Sequence, residues 1–334
     1  MMLVALAAVF ALDATHNVRM MTTHPIDAAS SKVTRALVVI HGSGRDAEHA
    51  FDAAVEAAKL AHALEDTIII APRFSSNDGG LCDDVLEEHE ANWGCEANNG
   101  WQAGGTAADD DRLTTFDVVD RVLTQLARKD LFPNLSVIVV AGHSAGGQFV
   151  TRYSMANQVH ESISRTIRLR HGLRRDKYAG AASGGESPVR YVVASPSSYA
   201  YPDPERPASH GSPAAGCNIF DDWPYGLRDR KGSAARLTAD DLARQLASRP
   251  VTYLLGALDN TTMRGLDTGC AAMAQGSSRL ERGQVFAAHV NARLGAHHRV
   301  LVVPGCAHDT RCVFTHASSL PVLFPSTDRV TLRP

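Results

Sequence analysis

Six short runs rich in Val, Ile and Leu recur along the chain: "RALVVIHG" (35–42), "TIIIAPRF" (67–74), "SVIVVAG" (136–142), "VRYVVAS" (189–195), "VTYLLGA" (251–257) and "RVLVVPG" (299–305). Each is continuously apolar, as a strand buried on both faces must be. Helical patterns separate them, at 46–64, 114–130, 145–157, 238–248 and 277–294. This alternation predicts an α/β fold with one mostly parallel central sheet flanked by helices. With 334 residues, 44% of them hydrophobic, the chain has material for one large domain.

Three stretches break the rhythm. Residues 75–113 are rich in Gly, Asn and Asp, residues 160–188 carry many Arg, and residues 196–236 hold many Pro, Tyr and Ser. Excursions beyond the C-terminal ends of parallel strands wall the ligand site, so these read as insertions forming a partial cap on a single domain spanning 15–334. The basic run "RTIRLRHGLRRDK" (165–177) reads as a solvated helix in preference to an anion-binding surface. A net charge of −3 gives no global basic field, so nucleic acid is not expected as a partner.

The N-terminal "MMLVALAAVFAL" is too short to span a bilayer. It fits the apolar core of a signal peptide over 1–14, although no positive region precedes it; the alternative is an N-terminal strand. No other stretch is long enough for stable membrane insertion. Six cysteines, none in a C-x-x-C pair, fit disulfides and a secreted protein, with Cys82–Cys95 as the first pairing expected because both flank one acidic segment. The alternative is free thiols in a cytoplasmic protein. N-x-[ST] sequons occur at Asn134 and Asn260.

The third run leads into "VIVVAGHSAGGQF" (137–149). A strand, then Gly-His-Ser-Ala-Gly, then a helix is the pattern of a nucleophile elbow, with Ser144 at its apex. The turn is crowded, which calls for small residues two before and two after the serine; Gly142 and Gly146 stand there. A serine hydroxyl is a poor nucleophile unless a base and oxyanion donors accompany it. The base is expected after the last strand, where "RVLVVPGCAHDTRC" supplies His308; His297 and His298 fall at the strand's other end. The acid is expected after the preceding strand, where "VTYLLGALDN" supplies Asp259, with Asp267 as runner-up. The oxyanion donors expected are the N–H of Ala145 and that of Ser43, or alternatively Gly44, in "VVIHGSGRD".

With Ser144, Asp259 and His308 in that chain order, the sequence resembles the α/β-hydrolase superfamily from about residue 33 to the last strand. Within it, "GWQAGG" (100–105), "GHSAGGQFVTRYS" (142–154), "SPSSYAY" (195–201), "DDWPYGL" (221–227) and "QGSSRLERG" (275–283) resemble a group of fungal and bacterial serine hydrolases without a defined substrate. The resemblance implies an esterase-like hydrolase with those three residues as triad. It does not separate carboxylic esters, the first choice, from amides, thioesters or polyesters. From a different class, a binding protein that kept the fold and lost turnover is the alternative, against which the intact triad argues. The substrate expected is a small or polymeric ester; no metal or organic cofactor is implied. Trp101, His143, Tyr199 and Trp223, with Tyr201 and Tyr225, are candidate pocket walls. Cys306, two residues before His308, would stiffen that loop if bonded.

Overall fold

The computed structural model describes residues 5–79, 82–96, 98–171, 187–207, 216–261 and 265–327. Eight strands form one sheet: β1 (Leu6–Ala11), β2 (Asn17–Thr22), β3 (Arg35–Ile40), β4 (Thr67–Pro72), β5 (Val137–His143), β6 (Val189–Ala194), β7 (Val251–Gly256) and β8 (Arg299–Val303). Their spatial order is β1-β2-β4-β3-β5-β6-β7-β8. From β4 to β8 every pairing is parallel, whereas β1 and β2 join antiparallel at one edge. The six apolar runs are the six parallel strands.

The antiparallel pair adds β2, unforeseen in the sequence, and β1, which follows the alternative reading of the N-terminal segment as a strand. In β2, half-buried and buried residues alternate, so "NVRMMT" shows no continuous apolar run. The segment Leu6–Ala11, which reads as leader core in the sequence, pairs with β2 along its whole length and alternates half-buried with exposed residues.

The helices are α1 (Ala47–Leu60), α2 (Thr115–Leu126), α3 (Ala145–Ala156), α4 (His160–Arg170), α5 (Ala239–Ser248), α6 (Cys270–Met273), α7 (Arg279–Leu294), α8 (Thr310–Thr315) and α9 (Leu320–Leu323). Their starts are chemically marked. Thr114 and Thr238 form capping boxes with Asp117 and Asp241, and Asp46, Ser278 and Asp309 each accept a backbone N–H of their own helix. The period-2 pattern of the strands splits the core in two. Ala36, Val38, Ile70 and Val140 face α2, α3, α5 and α7; Leu37, Val39, Ile69 and Val139 face α1, α8 and α9.

The basic run seen in the sequence is covered only as far as α4; from residue 172 it lies outside the described residues. Arg170 turns back to donate to the carbonyls of Phe132, Leu135 and Ala127, so it is tied to the protein surface.

Chain order reverses between β3 and β5. From β3 the chain proceeds outward to β4, and from β5 it proceeds the other way through β6 to β8. The loops leaving adjacent β3 and β5 therefore diverge and open a crevice at the strands' C-terminal ends, where ligands bind in open parallel sheets. Below that crevice sits an aromatic stack. Phe149 of α3 lies face to face with Phe74 at 5.1 Å and edge-on to Phe116 at 4.9 Å, with no solvent exposure. Phe149→Ala is expected to lower the unfolding free energy by about 3–5 kcal/mol, measured by chemical denaturation of the wild type and variant.

Candidate active site

β5 ends at His143, and α3 begins at Ala145. Ser144 between them has φ 59° and ψ −121°, a conformation unfavourable for a residue with a Cβ. Two hydrogen bonds and two flanking glycines hold it there. Its N–H donates to Ala194 O of β6 at 2.9 Å, its C=O accepts from Gln148 N at 3.0 Å, and the surrounding glycines permit a turn that no larger residue fits. A Cβ on Gly142 would lie 2.4 Å from the Gly146 backbone, and one on Gly146 would lie 2.2 Å from Ile40 O. Strand β3, the turn and α3 are thus in backbone contact.

Ser144 stands in the N-cap position of α3, yet its side chain caps nothing. Its Oγ lies 3.0 Å from His308 Nε2, and His308 Nδ1 lies 2.8 Å from Asp259 Oδ2. A carboxylate only accepts, so the proton is on Nδ1, and Nε2 is left to accept the Ser144 hydroxyl. Asp259 is fully buried. Asp267, the runner-up, is engaged elsewhere, accepting from Tyr225 Oη at 2.8 Å and from Gly269 N at 2.9 Å. His298 is at the far end of the sheet, bonded to Tyr253 Oη and Leu246 O.

The loops after β7 and β8 carry Asp259 and His308 together because the β-ladder continues past both strands. Ala257 N donates to Val303 O at 2.9 Å and Leu258 N to Cys306 O at 2.8 Å. Gly256 sits so close to this loop that a Cβ there would lie 2.6 Å from Ala307 O. A disulfide joins Cys306 to Cys312 and brackets His308. Two more bond Cys82 to Cys95, the pairing expected, and Cys217 to Cys270.

The loop after β3 runs beside Ser144: a Cβ built on Gly42 would be 4.0 Å from Ser144 Cβ. Ser43 and Gly44 follow in an exposed turn. Ala145 is the first residue of α3, so its N–H has no acceptor within the helix. His41 braces the loop from beneath. Its Nε2 accepts from Phe74 N at 2.9 Å, so Nδ1 carries the proton and donates to Gly42 O at 2.9 Å. Burial pushes the His41 imidazole down to about 4, which keeps it in this neutral tautomer at neutral pH. Arg45, at φ 54°, holds the outer side, donating to Ser43 O and pairing with Asp84. Asp84 also accepts from Ser76 N at 2.8 Å, which anchors the turn to the 75–113 excursion.

The expected pocket walls lie deeper than their composition suggested. Trp101 is 2% exposed, packed on His41 at 4.5 Å and stacked on Phe74. Tyr199 and Tyr201 pack on Phe286 of α7 and have no exposure, and Trp223 is buried with its indole N–H donated to Ala103 O. These aromatic rings support the loops behind the site. Tyr225 is half-buried, and its hydroxyl is committed to Asp267. His143 is buried behind His308, its ring 4.5 Å from the other and its Nδ1 bonded to Thr310 Oγ1 at 2.9 Å; burial pushes it well below the ordinary histidine value, so it is neutral.

Sequence patterns do not reveal the buried arginines that tie these loops down. Arg152, in the interior of α3, donates to Pro224 O, Gln102 O and Ser198 Oγ, and so joins the 75–113 and 196–236 excursions to the helix that follows Ser144. Arg279, at the start of α7, reaches Asp259 Oδ1 at 3.4 Å. The one sequence signal for either is an arginine placed among residues otherwise destined for the core.

A strand–turn–helix elbow after a central parallel strand, with a histidine loop after the last strand and an acid loop after the one before, defines the architecture. The chain has the α/β-hydrolase fold. No family model matches it, and a search of curated proteins finds no match. Solved structures share the fold. A poly(3-hydroxybutyrate) depolymerase from Bordetella parapertussis superposes with a TM-score of 0.62 and 21% identity, covering 96% of this chain and 94% of the other. Poly(aspartic acid) hydrolase-1 from Sphingomonas sp. KT-1 gives a TM-score of 0.58 at 21% identity, covering 92% and 95%.

In this fold the elbow glycines leave no room for a side chain. Gly146→Ala would drive a Cβ into the carbonyls of Ile40 and His41, both backbone atoms that cannot swing aside. The variant is expected to lose more than about 3 kcal/mol of stability or fail to accumulate folded, whereas Gly44→Ala, with nothing within 4 Å of its Cβ, stays within about 1 kcal/mol of wild type; thermal melts of the pair check this.

Proposed function

We propose that this chain is a serine hydrolase that cleaves carboxylic esters through an acyl-enzyme intermediate. The observation that carries the proposal is the unbroken hydrogen-bonded series Ser144–His308–Asp259 seated on a strained elbow. Ser144 Oγ attacks the ester carbonyl while His308 Nε2 takes its proton. Asp259 holds the Nδ1 proton in place and stabilises the imidazolium. The carbonyl oxygen, now an anion, is received by the N–H groups of Ala145 and Ser43, with Gly44 as the alternative to Ser43, next to the positive end of α3. His308 then returns the proton to the departing alkoxide, and the acyl group stays on Ser144. A water molecule, deprotonated by the same imidazole, attacks the acyl carbon and frees the acid and the serine.

The residues proposed here need no metal or organic cofactor for any of these steps. The neighbours' names include a polyester depolymerase and a poly(aspartic acid) hydrolase, which makes polymer substrates part of the test. Secretion belongs to the same proposal, supported by three disulfides, which persist in oxidising compartments. Among the described residues no helix is long and apolar enough to cross a membrane.

Fluorophosphonate should label the wild type and leave Ser144→Ala unlabelled. A panel of p-nitrophenyl esters, anilides, thioesters and poly(3-hydroxybutyrate) film should show turnover of esters first. A folded wild type that takes no label would sink the proposal and favour a binding protein. The Cys306–Cys312 bond offers a second check. Replacing both cysteines with serine leaves the sheet untouched but frees the loop that aims His308. The expected result is a fall in kcat of about 10-fold or more with little change in KM, measured by steady-state kinetics.

A further inference from the structure

Arg279 occupies a position that stability alone would not choose. It is the first residue of α7, where the positive end of the helix dipole disfavours a cation, and its side chain has no solvent exposure. What offsets both penalties is Asp259, whose carboxylate is equally buried and receives Arg279 Nη1 at 3.4 Å while its other oxygen receives His308. Arg279 Nε donates to Ser197 Oγ at 3.3 Å, and Leu280 N donates to Asp259 O at 3.1 Å, so the start of α7 grips both the acid's side chain and its backbone.

We propose that Arg279 is a positioning residue that acts through Asp259 to set the lower end of the pH range in which His308 works as a base. This rests on the serine-hydrolase reading above. With Arg279 present, the resting ensemble of Asp259, Arg279 and neutral His308 carries no net charge. Without it, the Asp259–His308 pair is a buried anion. Such a pair takes up its first proton as a unit, and removing a neighbouring cation makes that uptake easier whichever site the proton occupies. His308 would then be captured in its protonated, non-basic form at higher pH. Arg279 thus holds the acid in place and supplies the buried cation that balances the pair.

The other groups around the pair do not supply this charge. His143, from β5, is neutral because burial pushes it well down, with His308, Arg279 and His49 of α1 adding to the effect. Tyr199, from the loop after β6, is buried and its hydroxyl is pushed well above the ordinary phenol value, so it stays neutral. Arg282, further along α7, donates to Gly276 O and Ser197 O and is opposed by the charge of Asp267. Asp309, next to His308, is directed to the start of α8, where it accepts from Cys312 N at 2.6 Å.

The test is the pH dependence of kcat/KM for a p-nitrophenyl ester in wild type, Arg279→Met, Arg279→Gln and Arg279→Lys, each normalised to active sites counted by fluorophosphonate titration. The expected result is an acid limb raised by about one pH unit in the two neutral variants and returned to the wild-type position by lysine. Neutral variants that lose turnover with the limb unmoved would overturn the proposal, since a purely structural role predicts that. If neither neutral variant folds, Arg279→Lys decides: an unmoved limb supports the charge as the cause, and a limb displaced by as much as a pH unit overturns it. A wild type that neither labels nor turns over substrate would fail the serine-hydrolase reading itself, an outcome distinct from a labelled wild type whose variants keep its limb.

Discussion

The backbone contact between the β5–α3 turn and the end of β3 governs the site. Gly146 lies so near the carbonyls of Ile40 and His41 that no side chain fits between them. The approach does two things at once. It forces Ser144 into a left-handed conformation that lifts its Oγ out of the helix N-terminus, and it brings the β3 loop alongside. A serine that capped α3 in the ordinary way would spend its hydroxyl on backbone N–H groups. Here the helix start is left with unpaired donors and the hydroxyl is given to His308. Strain of order 1–3 kcal/mol is tolerable only because β5 is flanked on both sides by parallel strands in full register.

Much of this was legible in the sequence because it rests on local rules. Continuous apolar runs mark the parallel strands, which are buried on both faces except β8, an edge strand that leaves Val300 and Val302 exposed, and a parallel sheet puts every strand's C-terminal end on one side. Chain order alone then brings the residues after 143, 258 and 307 to a common edge. What was not legible depends on tertiary context. β2 is a strand because β4 offers it an edge, and its alternating pattern carries little signal by itself. Trp101, Tyr199 and Trp223 sit in loops, which suggested pocket walls; the loops fold inward, and the rings became their core. Asp259 and Asp267 were distinguished by partners rather than by spacing, since both follow β7.

The arginines were the least legible of all. A guanidinium carries five donors in a rigid fork, so a single side chain can satisfy several carbonyls of irregular backbone that the sheet ladder does not reach. Arg152 does this for two excursions, Arg282 for the loop before α7 and the loop after β6, and Arg249 for the end of α3 through Ser154 O and Asn157 O. Burial of a cation is costly, and the hydrogen bonds to otherwise unsatisfied carbonyls offset part of that cost. The same logic extends to Arg279, except that its main acceptor is a carboxylate.

The disulfides follow the division of labour between sheet and loops. None involves a strand: Cys82–Cys95 joins two parts of one excursion, and the other two tie a loop cysteine to α6 or α8. They close short, intermediate and long loops, with sequence separations of 6, 13 and 53. By chain entropy the shortest contributes least, about 2 kcal/mol against about 4 kcal/mol for the longest. The short one is nevertheless the one that encloses His308. Its placement makes better sense as restraint on a side chain that must stay within hydrogen-bond reach of two partners on different loops. The Cys82–Cys95 bridge plays a comparable part at one remove, since Asp84 inside it grips Arg45 and Arg45 grips the Ser43 carbonyl. Strand packing sets where the loops begin; covalent and ionic ties set where their working atoms end.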